Sequence, residues 1–258
     1  MVNHLGNWKN GELGDFVTLK RGFDLPQQKR EDGQVPIFSS SGITGTHSTA
    51  MVKAPGVITG RYGTIGEVFY AAEDFWPLNT TLFVEDFHGN DAKFIYYFLK
   101  TLEWSKFTSA SAVPGINRNT VHKEIVSLPD IETQKRIART LSMLDEKIKI
   151  NTEINDNLQQ QASALFSSLY DRSNTEVRFT DLIQILGGGT PKTGENTYWN
   201  GNIAFFTPKD VGTPYTLITE KTITEEGLSH CNSRLYPVNT VFVTARGTVG
   251  KVGMSGVP

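Results

Sequence analysis

Along residues 130–171 apolar side chains recur in alternating steps of four and three, at Ile137, Leu141, Leu144, Ile148, Leu158, Ala162, Leu165 and Leu169. Asn151 and Asn155 occupy the two middle positions of the same register. The period is 3.5 residues, the a/d spacing of a coiled coil. Asp130 stands as an N-cap with Glu132 in the first turn, and neither Gly nor Pro follows until Gly187. A helix of about 40 residues, roughly 60 Å long, is therefore predicted. One small domain cannot cover such a stripe, so the helix needs a partner helix. The two asparagines either specify register and partner number in the seam or mark where the helix crosses solvent between packed ends. Ile150 and Ile154 flank them and could rotate the seam.

Residues 1–129 follow another pattern. Short apolar runs, Asp15-Phe-Val-Thr-Leu19, Gly56-Val-Ile-Thr59 and Ile65-Gly-Glu-Val-Phe-Tyr70, alternate with Gly, Ser and Pro punctuation such as Ser39-Ser-Ser-Gly-Ile-Thr-Gly45. These read as strands. One helix is predicted among them, because Phe94, Ile95, Phe98, Leu99 and Leu102 share one helical face with Asn90 or Asp91 as N-cap. The fold class is α+β: a β-rich domain with a packed helix, then the long helix, then a further β-rich segment.

That last segment, residues 172–258, repeats the first. Asp181-Leu-Ile-Gln-Ile-Leu-Gly-Gly188 matches Asp15-Phe-Val-Thr-Leu-Lys-Arg-Gly22, and Gly247-Thr-Val-Gly-Lys-Val252 matches Gly63-Thr-Ile-Gly-Glu-Val68. Apolar runs, Gly56-Val-Ile-Thr59 and Thr240-Val-Phe-Val-Thr244, precede the second pair of anchors. Two matches in one order indicate a duplicated domain. The organisation expected is 1–129, 130–171 and an incomplete second copy over 172–258, without counterparts of residues 75–170. Self-association through the rod, or pairing with a fragment carrying the missing half, is the expected remedy, and the chain alone is expected to be inactive.

Composition narrows the partners. The chain has 258 residues, 38% hydrophobic and 20% charged, with net charge −2 and a mean hydropathy of −0.29. No overall basic field announces a nucleic acid or membrane, so either must be met by local patches. The single cysteine, Cys231, suits a reducing cytoplasm. No apolar run approaches 18 residues and the N-terminus lacks an apolar signal core, so no membrane span and no export are expected.

Catalytic patterns are not found. Gly187-Gly-Gly-Thr-Pro-Lys-Thr193 lacks the order of a phosphate-binding loop and reads as a turn, and Gly60-Arg-Tyr-Gly-Thr-Ile-Gly66 departs from the dinucleotide fingerprint. His4, His47, His88, His122 and His230 are scattered without metal-ligand spacing, which leaves them as surface or hydrogen-bonding residues. Ser39-Ser-Ser41 and Ser109-Ala-Ser111 lack a nucleophile elbow, and no carboxylate pair stands out. Binding outranks catalysis.

Several strings then occur in a telling order: Pro114-Gly-Ile-Asn-Arg118, Ile125-Val-Ser-Leu-Pro-Asp130, Gln134-Lys-Arg-Ile-Ala138, Leu141-Ser-Met-Leu-Asp-Glu-Lys-Ile148, Gln159-Gln-Gln-Ala162 and Ala164-Leu-Phe166. With the glycine turns at Gly63-Thr-Ile-Gly66 and Gly247-Thr-Val-Gly250, the chain resembles the specificity subunits of type I restriction-modification enzymes over essentially its whole length. The resemblance implies target-recognition domains that each read half of a bipartite double-stranded DNA sequence, with long antiparallel helices setting the spacing. It implies modification subunits using S-adenosylmethionine and a restriction subunit using ATP and Mg, with no cofactor in this chain. Gln134, Lys135, Arg136 and Arg139 would then dock the modification subunits, although a solvated flank explains the same charges.

Base edges are read by Arg, Lys, Asn and Gln, whereas phosphate contacts only position the protein. The candidates are Lys20, Arg21, Arg61, Tyr62, Thr64, Lys106 and Arg118. For Arg61, Tyr62 and Thr64 the Gly-flanked loop allows close approach to a duplex, and the alternative is a plain turn with Arg61 solvated. Arg118 serves equally as part of a structural turn. Lys29-Arg30 runs into Glu31-Asp32 and reads as a self-neutralised surface loop. A rival function is a protein-interaction scaffold on a coiled-coil arm, which the near-neutral charge favours mildly.

Overall fold

The computed structural model describes residues 7–108, 115–172, 176–212 and 214–258. His4, the Ser109-Ala-Ser111 string and Pro114 lie outside them. Strand β1 (Trp8–Glu12) runs directly into a single helical turn, α1 (Leu13–Phe16), before β2 (Thr18–Arg21). The Asp15–Leu19 run is thus half helix, not all strand. The cause is local: the Glu12 N–H donates to the Asp15 carboxylate at 3.0 Å, while Leu13 and Phe16 turn into the core.

A hairpin of β3 (Val35–Ser39) and β4 (Gly42–His47) follows, then β5 (Gly56–Gly60), β6 (Val68–Ala71), β7 (Trp76–Pro77) and β8 (Thr81–Asp86). Ile65 to Glu67 therefore belong to the β5–β6 turn, not to the strand expected there. Four strands form one sheet in the order β2-β8-β5-β6, and β4-β3-β7 form another. Helix α2 (Ala92–Lys100) lies on the first sheet with Phe94, Ile95 and Leu99 buried against Val57, Val68 and Leu82. Phe38, Ile58, Phe75 and Phe83 make a second cluster. Asp91 caps α2, its carboxylate accepting from Phe94 N at 2.8 Å.

Helix α3 (Arg118–His122) leads to β9 (Ile125–Pro129), which pairs antiparallel with β1 and so closes the domain at the foot of α4 (Ile131–Asp171). α4 is one unbroken helix of 41 residues, capped by Asp130 through Thr133 N at 2.9 Å. Its root is fastened to the domain. The Gln134 side chain, 2% exposed, accepts from Asp91 N and donates to Asn90 Oδ1 and to the Pro129 carbonyl. Ala138 is buried and Ile137 packs against the core, whereas Leu144, Ile148, Leu158, Leu165 and Leu169 are exposed. Leu141 is half-buried and Ala162 exposed. No helix of the described residues is long and apolar enough to cross a membrane.

The chain divides into two compact units, Met1–Tyr170 and Asp171–Pro258. The second holds α5 (Phe179–Leu182), β10 (Trp199–Phe205), β11 (Tyr215–Thr216), β12 (Lys221–Ile223), α6 (Glu225–Ser229), β13 (Val241–Val243) and β14 (Val252–Ser255). Some local features of the first unit recur, although β14 lies between β11 and β13 whereas β6 is an edge strand. α5 has the length of α1 and ends in the same way, with Ile183 N bonding Phe179 O as Val17 N bonds Leu13 O. β13 pairs with β14 in the register of β5 with β6: Val241 faces Met254, as Val57 faces Tyr70. The glycine turns agree too, with φ of +77° and +90° at Gly63 and Gly66 against +74° and +85° at Gly247 and Gly250. Only Gly reaches such angles without strain.

What differs is the cover. In the first unit β8 sits between β2 and β5; among the described residues of the second, β13 is an edge strand and residues 183–192 carry no regular structure. A strand cannot hold without a neighbour to take its hydrogen bonds. Val57 and Val68 pack with Phe94, Ile95 and Leu99 of α2 and are 1% and 5% exposed, whereas their counterparts Val241 and Val252 are 56% and 59% exposed.

Candidate nucleic-acid interface

The turn between β5 and β6 is braced on two sides. The backbone N–H groups of Arg61 and Tyr62 both donate to the Thr80 carbonyl, at 2.8 and 3.2 Å, and Ile116 N donates to the Arg61 carbonyl at 3.0 Å. Tyr62 also bridges to Gly115, where a Cβ would collide with the tyrosine ring. The Arg61 guanidinium stacks on that ring, 4.5 Å from its centre, a cation–π contact that holds the fork without neutralising it. Thr64 at the tip is exposed. Gly66 has positive φ, and a Cβ there would press on Trp104, so the turn lies close against the 104–107 segment.

Neighbouring loops reach the same edge. Ser40, at the tip of the β3–β4 hairpin, lies against Gly63. Asn79 precedes Thr80 and donates to Asp24, which in turn stands 4.0 Å from Arg21. Arg21, Arg61, Tyr62 and Thr64 thus come to one edge of the domain, with Arg118 two residues beyond the Ile116 brace. Ser40 and Asn79 join them without having been singled out in the sequence. Their signal is faint: each sits in a Ser- or Asn-containing turn, and only the pairing of strands reveals which turns adjoin.

The candidates separate by charge. Lys20 is ion-paired with Glu85, and Lys106 with Glu103 at 2.7 Å, a hydrogen bond that raises the lysine pKa. Among the described residues, Arg61 and Arg118 have no carboxylate within 4.0 Å. Of the candidates, these two carry a charge without an ion-pair partner among the described residues. Among the described residues no ion pair within 4.0 Å joins Lys29 or Arg30 to Glu31 or Asp32, and the buried Arg30 Nε has no hydrogen-bond partner, so the loop is not self-neutralised by direct pairing.

Four histidines are hydrogen-bonding residues of the frame. His47 accepts from Glu31 N, His88 bonds Thr18 Oγ1 and the Asp15 carbonyl, His122 accepts from Leu19 N, and His230 bonds the Glu226 carbonyl. Among the described residues no cluster of three His, Cys, Asp or Glu could hold a metal.

Residues 6–160 and 172–258 match the family of the type I restriction modification DNA specificity domain. The chain belongs to this family. Similar proteins include the MjaIX specificity subunit of Methanocaldococcus jannaschii, 34% identical over 84 residues, covering 31% of this chain and 19% of that one. Another is the EcoR124I/EcoR124II specificity subunit of Escherichia coli, 29% identical over 170 residues, 61% of this chain and 41% of that one. The chain thus spans less than half the length of these two relatives. In fold it is similar to the crystal structure of a type I restriction-modification S subunit from M. genitalium, with a TM-score of 0.63 at 17% identity, covering all of this chain and 71% of that one. The specificity-domain match includes both glycine turns and most of α4.

The two turns differ in sequence. By the shared register Arg246 stands where Tyr62 stands, and Ala245 where Arg61 stands. Each turn presents an arginine, displaced by one residue, so the second guanidinium points from another part of the loop.

Proposed function

We propose that this chain is the DNA-reading subunit of a type I restriction-modification complex, acting in the cytoplasm. The observation that carries this reading is the braced Gly-flanked turn holding an unpaired Arg61 on the face of Tyr62, within a specificity-domain fold rooted on a 41-residue helix. A preorganised guanidinium fork suits bidentate contact with guanine or a phosphate. Arg21, Thr64 and Arg118 contribute from the same edge, and Lys20 and Lys106 need their carboxylates displaced before they can do so.

In this reading α4 is the spacer. Its exposed seam from Leu144 to Leu169 packs on another helix, from a second copy or a partner subunit, and holds two readers apart by a set number of base pairs. The chain itself is not the catalyst: methyl transfer from S-adenosylmethionine belongs to modification subunits, and ATP- and Mg-dependent cleavage to a restriction subunit.

The test is duplex binding by the full chain at about 50 and 200 mM salt, where phosphate neutralisation makes affinity fall steeply. Salt-dependent binding that weakens on Arg61→Ala supports the reading. Salt-independent or absent binding overturns it in favour of a protein-interaction scaffold.

A further inference from the structure

Gln134, Ile137 and Ala138 hold the root of α4 within its first two turns, which leaves the direction of the remaining rod to be set further along. From Gln134 to Asp171 is 37 residues, about 56 Å of helix, so a swing of about 10° moves the tip by roughly 10 Å. A second fastening is found 11 residues along, about 16 Å from the first. The Tyr97 hydroxyl, on the outer face of α2, donates to the Asp145 carboxylate at 2.7 Å, with the Ser142 hydroxyl 3.3 Å away. Burial and the neighbouring carboxylate push the Tyr97 phenol up to about 12, so the donor proton stays in place at ordinary pH.

Tyr97 is itself held. Lys93, one turn earlier on α2, places its ammonium 3.8 Å from the centre of the Tyr70 ring on β6, and within reach of Tyr96 and Tyr97 at 5.1 and 5.9 Å. Tyr70 meets Tyr96 edge-on. The fastening therefore runs from the sheet through α2 to α4, and α2 is stiffened by its buried Phe94, Ile95 and Leu99.

We infer that Tyr97 and Asp145 form a latch that sets the direction in which α4 leaves the domain, and thereby the distance at which a second reader is held. The spacing part rests on the proposed function; the direction does not. The lever explains why a latch is needed. Play of about 1 Å at Asp145 becomes roughly 3 Å at Asp171, close to the 3.4 Å rise of one base pair. By limiting that play the latch would help a spacer discriminate sites differing by one base pair. Tyr97 and Asp145 are positioning residues, and neither need touch DNA.

The experiment is a pulsed electron–electron distance measurement on the full chain without DNA, carrying spin labels at Ile43→Cys and Gln160→Cys with Cys231→Ser, diluted in unlabelled chain. Both labelled positions are exposed. Tyr97→Phe and Asp145→Ala should each at least double the width of the distance distribution, the double variant should be no wider than either alone, and Asp145→Glu should recover much of the narrow distribution. An unchanged width in both single variants overturns the latch, even if melting temperature falls, since that would be a contribution to stability alone. Because DNA is absent, failure to bind duplex would count against the proposed function and leave this result standing.

Discussion

The Nε2 of His122 on α3 accepts a 2.9 Å hydrogen bond from the backbone N–H of Leu19 on β2, 103 residues away in the chain. The bond ties the segment behind the candidate interface to the edge of the main sheet, and it requires a neutral imidazole. Burial lowers the His122 pKa from 6.5, and the charges of Arg118 and His88 lower it further. The folded chain then binds this proton less readily than the unfolded chain. Its contribution to stability is complete above about pH 6.5 and is lost as pH falls below that value. Melting temperature should drop between pH 7.5 and 5.5, and His122→Gln, which keeps an acceptor without titrating, should flatten that step. An equal drop in the variant would remove His122 as its source.

Gln134 offers the largest single cost in the root of α4. Gln134→Ala leaves Asp91 N, Asn90 Oδ1 and the Pro129 carbonyl without their partner in a buried to half-buried site. The expected loss is about 2–4 kcal/mol by urea unfolding. A loss under about 1 kcal/mol would mean that water replaces the amide there.

Arg61 and Lys106 should behave differently although both are cations of the same domain. Arg61→Ala removes an unpaired guanidinium, and duplex affinity should fall about tenfold or more with little change in melting temperature, in line with about 1–3 kcal/mol for a specific contact. Lys106→Ala removes a cation already bound to Glu103, and the change should stay within about twofold, surface pairs being worth little. Titrations of both variants at one salt concentration decide the matter, and the reverse ranking would move the interface away from the β5–β6 turn.

Gly66 tests the turn itself. Its φ of +90° strains any side chain, and a Cβ there would stand 3.2 Å from the Trp104 side chain. Gly66→Ala should cost about 1–3 kcal/mol and weaken duplex binding beyond that loss, because the turn shifts under Arg61. Chemical denaturation and a duplex titration on the same sample separate the two effects.

The seam of α4 predicts an association that a monomer does not need. Leu158 and Leu165 are both more than half exposed, so Leu158→Glu with Leu165→Glu should leave thermal unfolding within about 0.5 kcal/mol of the parent, as surface changes do. The sedimentation coefficient of the full chain should fall at the same time. Identical sedimentation of parent and variant would show that the seam does not mediate self-association.

Elements governed by neighbours in the chain were legible before any coordinates. The Asp130 cap and the unbroken 3.5-residue period predict α4, the Asp91 cap and five apolar positions predict α2, and the glycine turns predict the repeat, because caps, periodicity and positive φ are properties of a few consecutive residues. Residues 13–16 were not legible, since an apolar run of that length suits either helix or strand and the Asp15 contact with Glu12 N decided it. Nor could sequence distinguish Arg61 from Lys20: charge is a property of a residue, whereas the carboxylate beside Lys20 belongs to Glu85, 65 residues along the chain. Sequence alone predicted a long helix with a coiled-coil stripe between two β-rich segments that share motifs. Tertiary structure decided which turns share an edge, that Lys20 is paired with Glu85 and how Gln134 and Tyr97 hold α4, because each depends on atoms that lie far apart in the chain until the strands have paired.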